Sequence, residues 1–393
     1  MESMIRTRLE SQLRKQPCTL LGVGPVSRLT VEATVELANE HDVDVMLIPS
    51  RRQVDSDRLG AGYVEGWNAE RFASFVRERD PKGRAILCRD HGGPWQNSKE
   101  LDEQLDPKAA MESAIASYEE DIDAGFAILH IDPSVGPDSA PDMETTLEYL
   151  FELYRSCWDM AKSRRLDIQF EVGTEEQSSV SGSMKELEYM LERINGFCKA
   201  ESLPPPLFVV VQTGTKVAET RNVGSLLSPY RVNGEIPPEV FLPYVIQTCE
   251  RHGLKIKQHN TDYLDDRVLS WLPQLGVHSA NVAPEYGVVE SRAYLQVLEA
   301  HRLFKQRDRF IELAYESGKW KKWLLPHSRA TERDCAVICG HYVFSTPEFR
   351  ELVEEVDREL AGTSTTLLDF AKGEVKKCLM RYFKAFRLVA RHG

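Results

Sequence analysis

Short apolar runs of strand length recur along the chain, and the segments between them carry apolar residues at helical spacing. Eight such runs can be marked, at 19–23, 43–48, 85–88, 127–131, 167–172, 207–211, 254–259 and 277–282. Strands alternating with helices imply βα units and a parallel sheet, and eight units close a barrel. The pattern predicts an α/β fold, a TIM (β/α)8 barrel.

The intervening segments are punctuated as helices. Asp106 with Pro107 reads as an N-cap followed by proline at the first helical position. Met111, Ile115, Tyr118 and Ile122 then mark one face, and Gly125 ends it. Ser183 and Glu186 read as a capping box, with Met184, Leu187, Leu191 and Ile194 on one stripe and Gly196 as the terminal glycine. Pro237 and Pro238 open a third helix, with Phe241, Tyr244, Val245 and Cys249 apolar and Gly253 at its end. From about Glu290 the alternation stops. Residues 367–389 place Leu368, Phe370, Val375, Leu379, Phe383 and Phe386 at roughly helical spacing. The expected organisation is an N-terminal helix (1–17), a barrel (18–289) and a helical C-terminal extension (290–393) packed on it.

Composition narrows the class of function. In 393 residues, 42% hydrophobic and 28% charged is the profile of a soluble globular protein. A net charge of -12 argues against a nucleic-acid surface but not against an anionic small substrate held by a few clustered cations. No run is long enough to span a bilayer, and the charged start lacks a signal-peptide core. Eight scattered cysteines, most of them in apolar runs, suggest a reduced, cytoplasmic protein. There is no GxxxxGK[ST] loop and no GxSxG elbow, and Gly22-Val-Gly24 is too short for a dinucleotide fingerprint.

The strand ends carry the chemistry. Asp90-His91 closes the third run and is followed by Gly92-Gly93-Pro94, which lets a backbone or a ligand approach closely. An imidazole there can hold a divalent metal while the adjacent carboxylate moves a proton. His130 and Asp132 are two apart and share a strand face, either as site members or as a buried pair satisfying each other. Glu171 ends the fifth run, ahead of Gly173, Thr174, Glu175 and Glu176. Lys255, Lys257 and His259 alternate along the seventh, and inward charges there need partners or a function. His259 reads as a ligand and Lys257 as a structural ion pair. Gln212, Gly214, Thr215 and Lys216 form a loop whose amides and ammonium suit either phosphate or a tight turn.

Taken in order, these pieces resemble the accessory, non-catalytic subunit family of class II tagatose-bisphosphate aldolase, itself similar to class II ketose-bisphosphate aldolases. The resemblance rests on Gln53-Val54 with Gly62-Tyr63 and Gly66, Asp90-His-Gly-Gly-Pro94, His130-Ile-Asp132-Pro-Ser134, Gly173-Thr-Glu175, Val211-Gln212, His259-Asn-Thr-Asp262-Tyr263 and Pro326-His-Ser-Arg329. It implies a barrel with a divalent-metal site, zinc being the expected ion. His91, Glu171 and His259 are the implied ligands, and Asp90, Glu175 and Asp262 the implied acid-base residues. Arg51, Gln53, Gln212, Gly214, Lys216, Asn281, His327 and Arg329 are the implied substrate contacts. Arg51 and Arg52 depart from the family's small polar residues, and Gln212 stands where catalytic aldolases have a zinc-binding histidine. The implied function is retro-aldol cleavage or epimerisation of a ketose or ketose phosphate. Its alternative is an accessory subunit that stabilises a separate catalytic aldolase. A cytoplasmic homo-oligomer is the expected assembly, with no nucleic-acid or membrane partner.

Overall fold

A computed structural model describes residues 3–173, 182–211, 213–226, 236–362 and 366–390. Eight parallel strands close a barrel in sequence order: β1 (Leu20–Val23), β2 (Val45–Leu47), β3 (Ala85–Gly92), β4 (Ile128–Ile131), β5 (Gln169–Gly173), β6 (Phe208–Val211), β7 (Lys255–Gln258) and β8 (Ser279–Val282). Each falls within or beside one of the eight apolar runs, and β3 runs on through Asp90-His91 to Gly92. A two-stranded antiparallel piece, Val217–Ala218 with Arg221–Asn222, sits between β6 and β7.

Alternation along the strands sorts the side chains. Leu21, Val45, Leu87, Leu129, Phe170, Val209 and Ile256 point outward to the helices, in a core continuous with the C-terminal region. Leu20, Met46, Ile86, Cys88, Ile128 and Phe208 point inward and form a separate interior cluster. That cluster is closed below by the helix Met4–Lys15, whose Leu9 is fully buried in it. The same helix meets the amino ends of the strands through Arg6 on Gln169 (2.8 Å), Arg8 on Asp44 (2.7 Å) and Glu10 on Lys255 (2.7 Å). Lys255 thus finds its partner outside the sheet.

The helix Pro107–Asp123 begins as expected, with the Asp106 carboxylate accepting the Ala109 N–H. Pro238–Arg251 also begins at its proline, although Tyr244, assigned to its apolar face, is exposed. Two expectations hold only in part. The helix Gly182–Glu201 continues through Gly196 without interruption, and the Ser183 side chain expected to cap it lies outside the described residues. In the last helix, Leu367–Ala385, the buried stripe is Leu367, Ala371, Val375 and Leu379, while Leu368 is exposed. The stripe steps by four from Leu367 to Phe383; the expected Val375, Leu379, Phe383 and Phe386 are buried, and Phe370 is half-buried. This helix packs on Pro284–Ala300 and on Arg28–His41, joining the C-terminal region to the barrel wall. No helix among the described residues is long and apolar enough to cross a membrane.

Candidate functional site

Register brings the strand-end groups together. His130 on β4 lies opposite Glu171 on β5, and Asn281 on β8 lies opposite Gly22 on β1. A methyl group at Gly22 would fall 2.3 Å from the Asn281 side-chain oxygen, so the glycine makes room for that amide. At β3 the ladder is irregular between Arg89 and Gly92, and His91 adopts a left-handed backbone (φ 44°). Gly92 and Gly93 permit this turn: a Cβ on the first would strike the Tyr118 ring, and on the second the Asp132 carbonyl. The close approach inferred from this glycine pair is therefore made by the protein itself.

Asp90, His130, Glu171 and His259 form one cluster, with a ligand atom from each within 4.8 Å of the others. His130 Nδ1 lies 3.3 Å from Asp90 Oδ1 and 3.8 Å from Glu171 Oε1. His259 Nε2 lies 3.4 Å from Glu171 Oε1 and 3.7 Å from Asp90 Oδ1. The Asn281 amide nitrogen is 3.0 Å from His259 Nε2 and 3.5 Å from Asp90 Oδ1. The other Glu171 oxygen accepts from Lys257 Nζ at 2.6 Å, which is the ion pair read from the strand pattern. His91 stands alongside, its Nδ1 2.8 Å from Asp132 Oδ2 and its Nε2 3.8 Å from Asp90 Oδ2. Asp132 thus bonds His91 rather than His130, and Gln96 steadies the same oxygen at 2.7 Å.

Burial alone would raise both cluster carboxyls, but neighbouring positive charge outweighs it. Lys257, His130 and His259 hold Glu171 down to about 2, and His91, His259 and His130 hold Asp90 well below the ordinary range. Two ionised carboxylates and two imidazoles facing one point suit a divalent cation.

The cluster opens into a cavity of about 330 Å³ at the carboxyl ends of the strands. Gln53, Asp90, His91, His259, Asp262 and Asn281 line it, as do Arg52 and Gln96. Asp262 Oδ1 accepts the backbone N–H groups of Ala283 and Glu285 at 2.9 Å each, and burial with the Glu285 charge pushes its pKa up to about 7. A second wall comes from beyond the eighth strand: Lys322, Trp323, His341 and Tyr342. His341 is 2% exposed, its Nδ1 has no hydrogen-bond partner among the described residues, and burial pushes its pKa down to about 3.

Other sequence candidates lie elsewhere. Arg51 is 1% exposed and bonds Glu100 with both terminal nitrogens (3.0 and 2.7 Å), Asp55 (3.1 Å) and the Gly93 carbonyl (2.6 Å). These bonds occupy its donors in holding the loop after β2. Gly214 and Lys216 are not among the cavity walls, and Lys216 is exposed. His327 and Arg329 line a separate groove with Glu219, Arg292 and Arg333. Glu175 and Gln212 lie outside the described residues. His130 joins Glu171 and His259 in the candidate cluster, and its two-residue spacing from Asp132 was the signal for it. No periodicity marks His341 or Lys322.

The chain matches no family model and no curated protein by sequence. Solved structures do match. A protein described as a probable tagatose 6 phosphate kinase from Sinorhizobium meliloti 1021 superposes with a TM-score of 0.73 at 21% identity, covering 93% of this chain and 100% of its own. The chain shares that protein's fold. A fructose-bisphosphate aldolase from Campylobacter jejuni gives 0.55 at 13% identity over 98% of this chain and 93% of its own. The fructuronate-tagaturonate epimerase UxaE from Cohnella laeviribosi gives 0.53 at 11% identity over 97% and 86%. At these identities the likeness is one of fold, and chemistry has to be argued from the site.

Proposed function

We propose that the chain is a metal-dependent carbohydrate enzyme of the class II aldolase type, acting on a ketose or ketose phosphate by retro-aldol cleavage or by epimerisation through an enediolate. The observation that carries this reading is the Asp90, His130, Glu171 and His259 cluster, two of whose members, Asp90 and His259, line a cavity. These four would hold a divalent cation, zinc suiting the two imidazoles, and it would supply Lewis-acid polarisation of a substrate carbonyl. His91, its Nδ1 held by Asp132, keeps its Nε2 3.8 Å from Asp90 Oδ2 and, with His130 and Asp132, forms a second candidate ligand group beside the first.

The remaining steps belong to the chain. Asp90 stays ionised, with Oδ1 among the cluster atoms and Oδ2 turned toward His91, so Oδ2 is the oxygen left to accept the proton of a substrate hydroxyl that a bound cation would acidify. Asn281 presents its amide N–H groups between His259 and Asp90, where a developing oxyanion would lie. Asp262, held near neutrality on the cavity wall, carries a proton for return to product. Fold likeness to a fructose-bisphosphate aldolase and to a sugar-acid epimerase supports the reaction class by analogy. The second reading, an accessory subunit of a separate aldolase, is favoured by Gln212 standing in the place of a ligand histidine.

Metal analysis of the purified chain tests this, followed by turnover of ketoses and ketose phosphates by wild type, Asp90→Asn and His130→Ala. The expected result is bound divalent ion that His130→Ala loses, and turnover that falls roughly a hundredfold or more in Asp90→Asn. A metal-free protein whose variants turn over unchanged would overturn the proposal. Co-purification with a catalytic aldolase, with no turnover by this chain alone, would decide for the accessory role.

A further inference from the structure

The cavity mouth carries an uncompensated cationic cluster. Arg52, from the loop after β2, and Lys322, from the short helix Lys319–Trp323, line the cavity that holds Asp90 and His259. The same two side chains line an adjoining groove of about 580 Å³, together with Lys99, Lys319 and Lys321. Asp102 is the one carboxylate among the groove's lining residues, and Lys99 is paired with Glu103 at 3.8 Å. Among the described residues, Arg52, Lys319, Lys321 and Lys322 have no carboxylate oxygen within 4.0 Å.

The cations are also held in place. Arg52 Nε donates to the Gln96 carbonyl at 3.2 Å, its one guanidinium hydrogen bond among the described residues, which leaves both terminal nitrogens as a fork. The Lys322 ammonium rests over the Trp323 ring at 4.9 Å and the Tyr342 ring at 5.2 Å and has no acceptor among the described residues. Trp320 fixes the short helix from the other side by donating to the Tyr315 carbonyl at 2.8 Å. Partial burial and the charges of Arg52 and Lys319 push the Lys322 pKa down. Mutual repulsion of this kind, on a chain whose net charge is -12, is relieved by a bound anion.

We propose that Arg52, Lys319 and Lys322 form a subsite for a phosphate monoester, so that the substrate of the neighbouring centre is a phosphorylated sugar held by its charged end at the cavity mouth. The assignment of the sugar rests on the function proposed above, whereas the anion site rests on the groove alone. Convergence of three cations favours phosphate, with about 1.5 to 2 negative charges, over a carboxylate with one. It also moves phosphate recognition away from the Gly214 to Lys216 loop, where the sequence suggested it.

Calorimetric titration of the full, metal-loaded chain with inorganic phosphate tests the subsite, with acetate as the carboxylate probe. Arg52→Ala and Lys322→Ala should each weaken phosphate about tenfold. Lys216→Ala should leave it unchanged, and acetate should bind at least about tenfold more weakly than phosphate. Unchanged phosphate affinity in a folded Arg52→Ala/Lys322→Ala double variant would overturn the proposal, as would acetate binding as tightly as phosphate. Metal content of the same preparations separates the two ideas. Phosphate binding that persists in a chain unable to hold metal supports the subsite and defeats the catalytic reading alone.

Discussion

Lys257 Nζ lies 2.6 Å from Glu171 Oε2, and both side chains are 1% exposed. The pair sits one layer below His259 on the inner face of the barrel and neutralises half of a carboxylate whose other oxygen faces the cluster. Because neither charge reaches water, removing one strands the other. Lys257→Met should cost about 3–5 kcal/mol in urea unfolding of the metal-free chain. Lys257→Met with Glu171→Gln should recover much of that loss, and a single variant of wild-type stability would refute the pairing's importance.

Gly22 and Asn281 predict a non-additive pair. Ala at 22 would put its Cβ 2.3 Å from Asn281 Oδ1 and 3.3 Å from an Ile48 methyl, overpacking the barrel mouth. Gly22→Ala should destabilise by about 1–3 kcal/mol. In an Asn281→Ala background the same change should cost much less, a coupling that a double-mutant cycle measures. Equal costs in both backgrounds would mean that the amide does not set the demand for glycine.

Glu290 makes stability depend on pH. Its carboxyl is buried between Ser27 and Tyr294, and burial pushes its pKa from 4.5 up to about 7. Between those values the folded chain keeps a proton that the unfolded chain has lost, so stability falls as pH rises through the window. Melting curves of wild type and Glu290→Gln should therefore diverge in favour of the variant from about pH 4.5 to about pH 7. Asp262 acts in the same sense in both proteins, so the slope shrinks without vanishing. Parallel curves would show that Glu290 is ionised in the fold.

Arg51 should behave as a structural residue. Arg51→Ala leaves Glu100 and Asp55 buried without their guanidinium and should cost about 3–5 kcal/mol. Arg51→Lys should rescue little, because the ammonium cannot reproduce the two-nitrogen contact with Glu100. Chemical denaturation distinguishes this from a substrate role, in which stability would be unchanged.

The barrel was legible because its signals are local. Apolar runs locate strands, Asp106-Pro107 locates a helix start, and the polar inner faces of β4, β5 and β7 betray themselves as charges inside otherwise apolar strands. Partner choice was not. Asp132 is as close in sequence to His130 as a strand allows, yet it bonds His91, because the left-handed turn at 91 swings that ring back over β4. Arg51 and Arg52 are adjacent and chemically alike, and only the loop's path decides that one is buried among acids while the other faces the cavity. His341 and Lys322 reach the site through tertiary packing of a region with no strand alternation, which no spacing along the chain encodes.

That region has an architectural consequence. The barrel strands supply the cluster that would do chemistry, while Lys322, Trp323, His341 and Tyr342 supply the opposite wall of the same cavity. The cluster therefore rides on the barrel strands, whereas the cavity mouth is drawn from two stretches of chain, Arg52 on the loop after β2 and Lys322 to Tyr342 beyond the eighth strand. Under the proposed function, substitutions at Lys322, Trp323, His341 or Tyr342 would reshape what the cavity admits while leaving the strand-borne cluster in place.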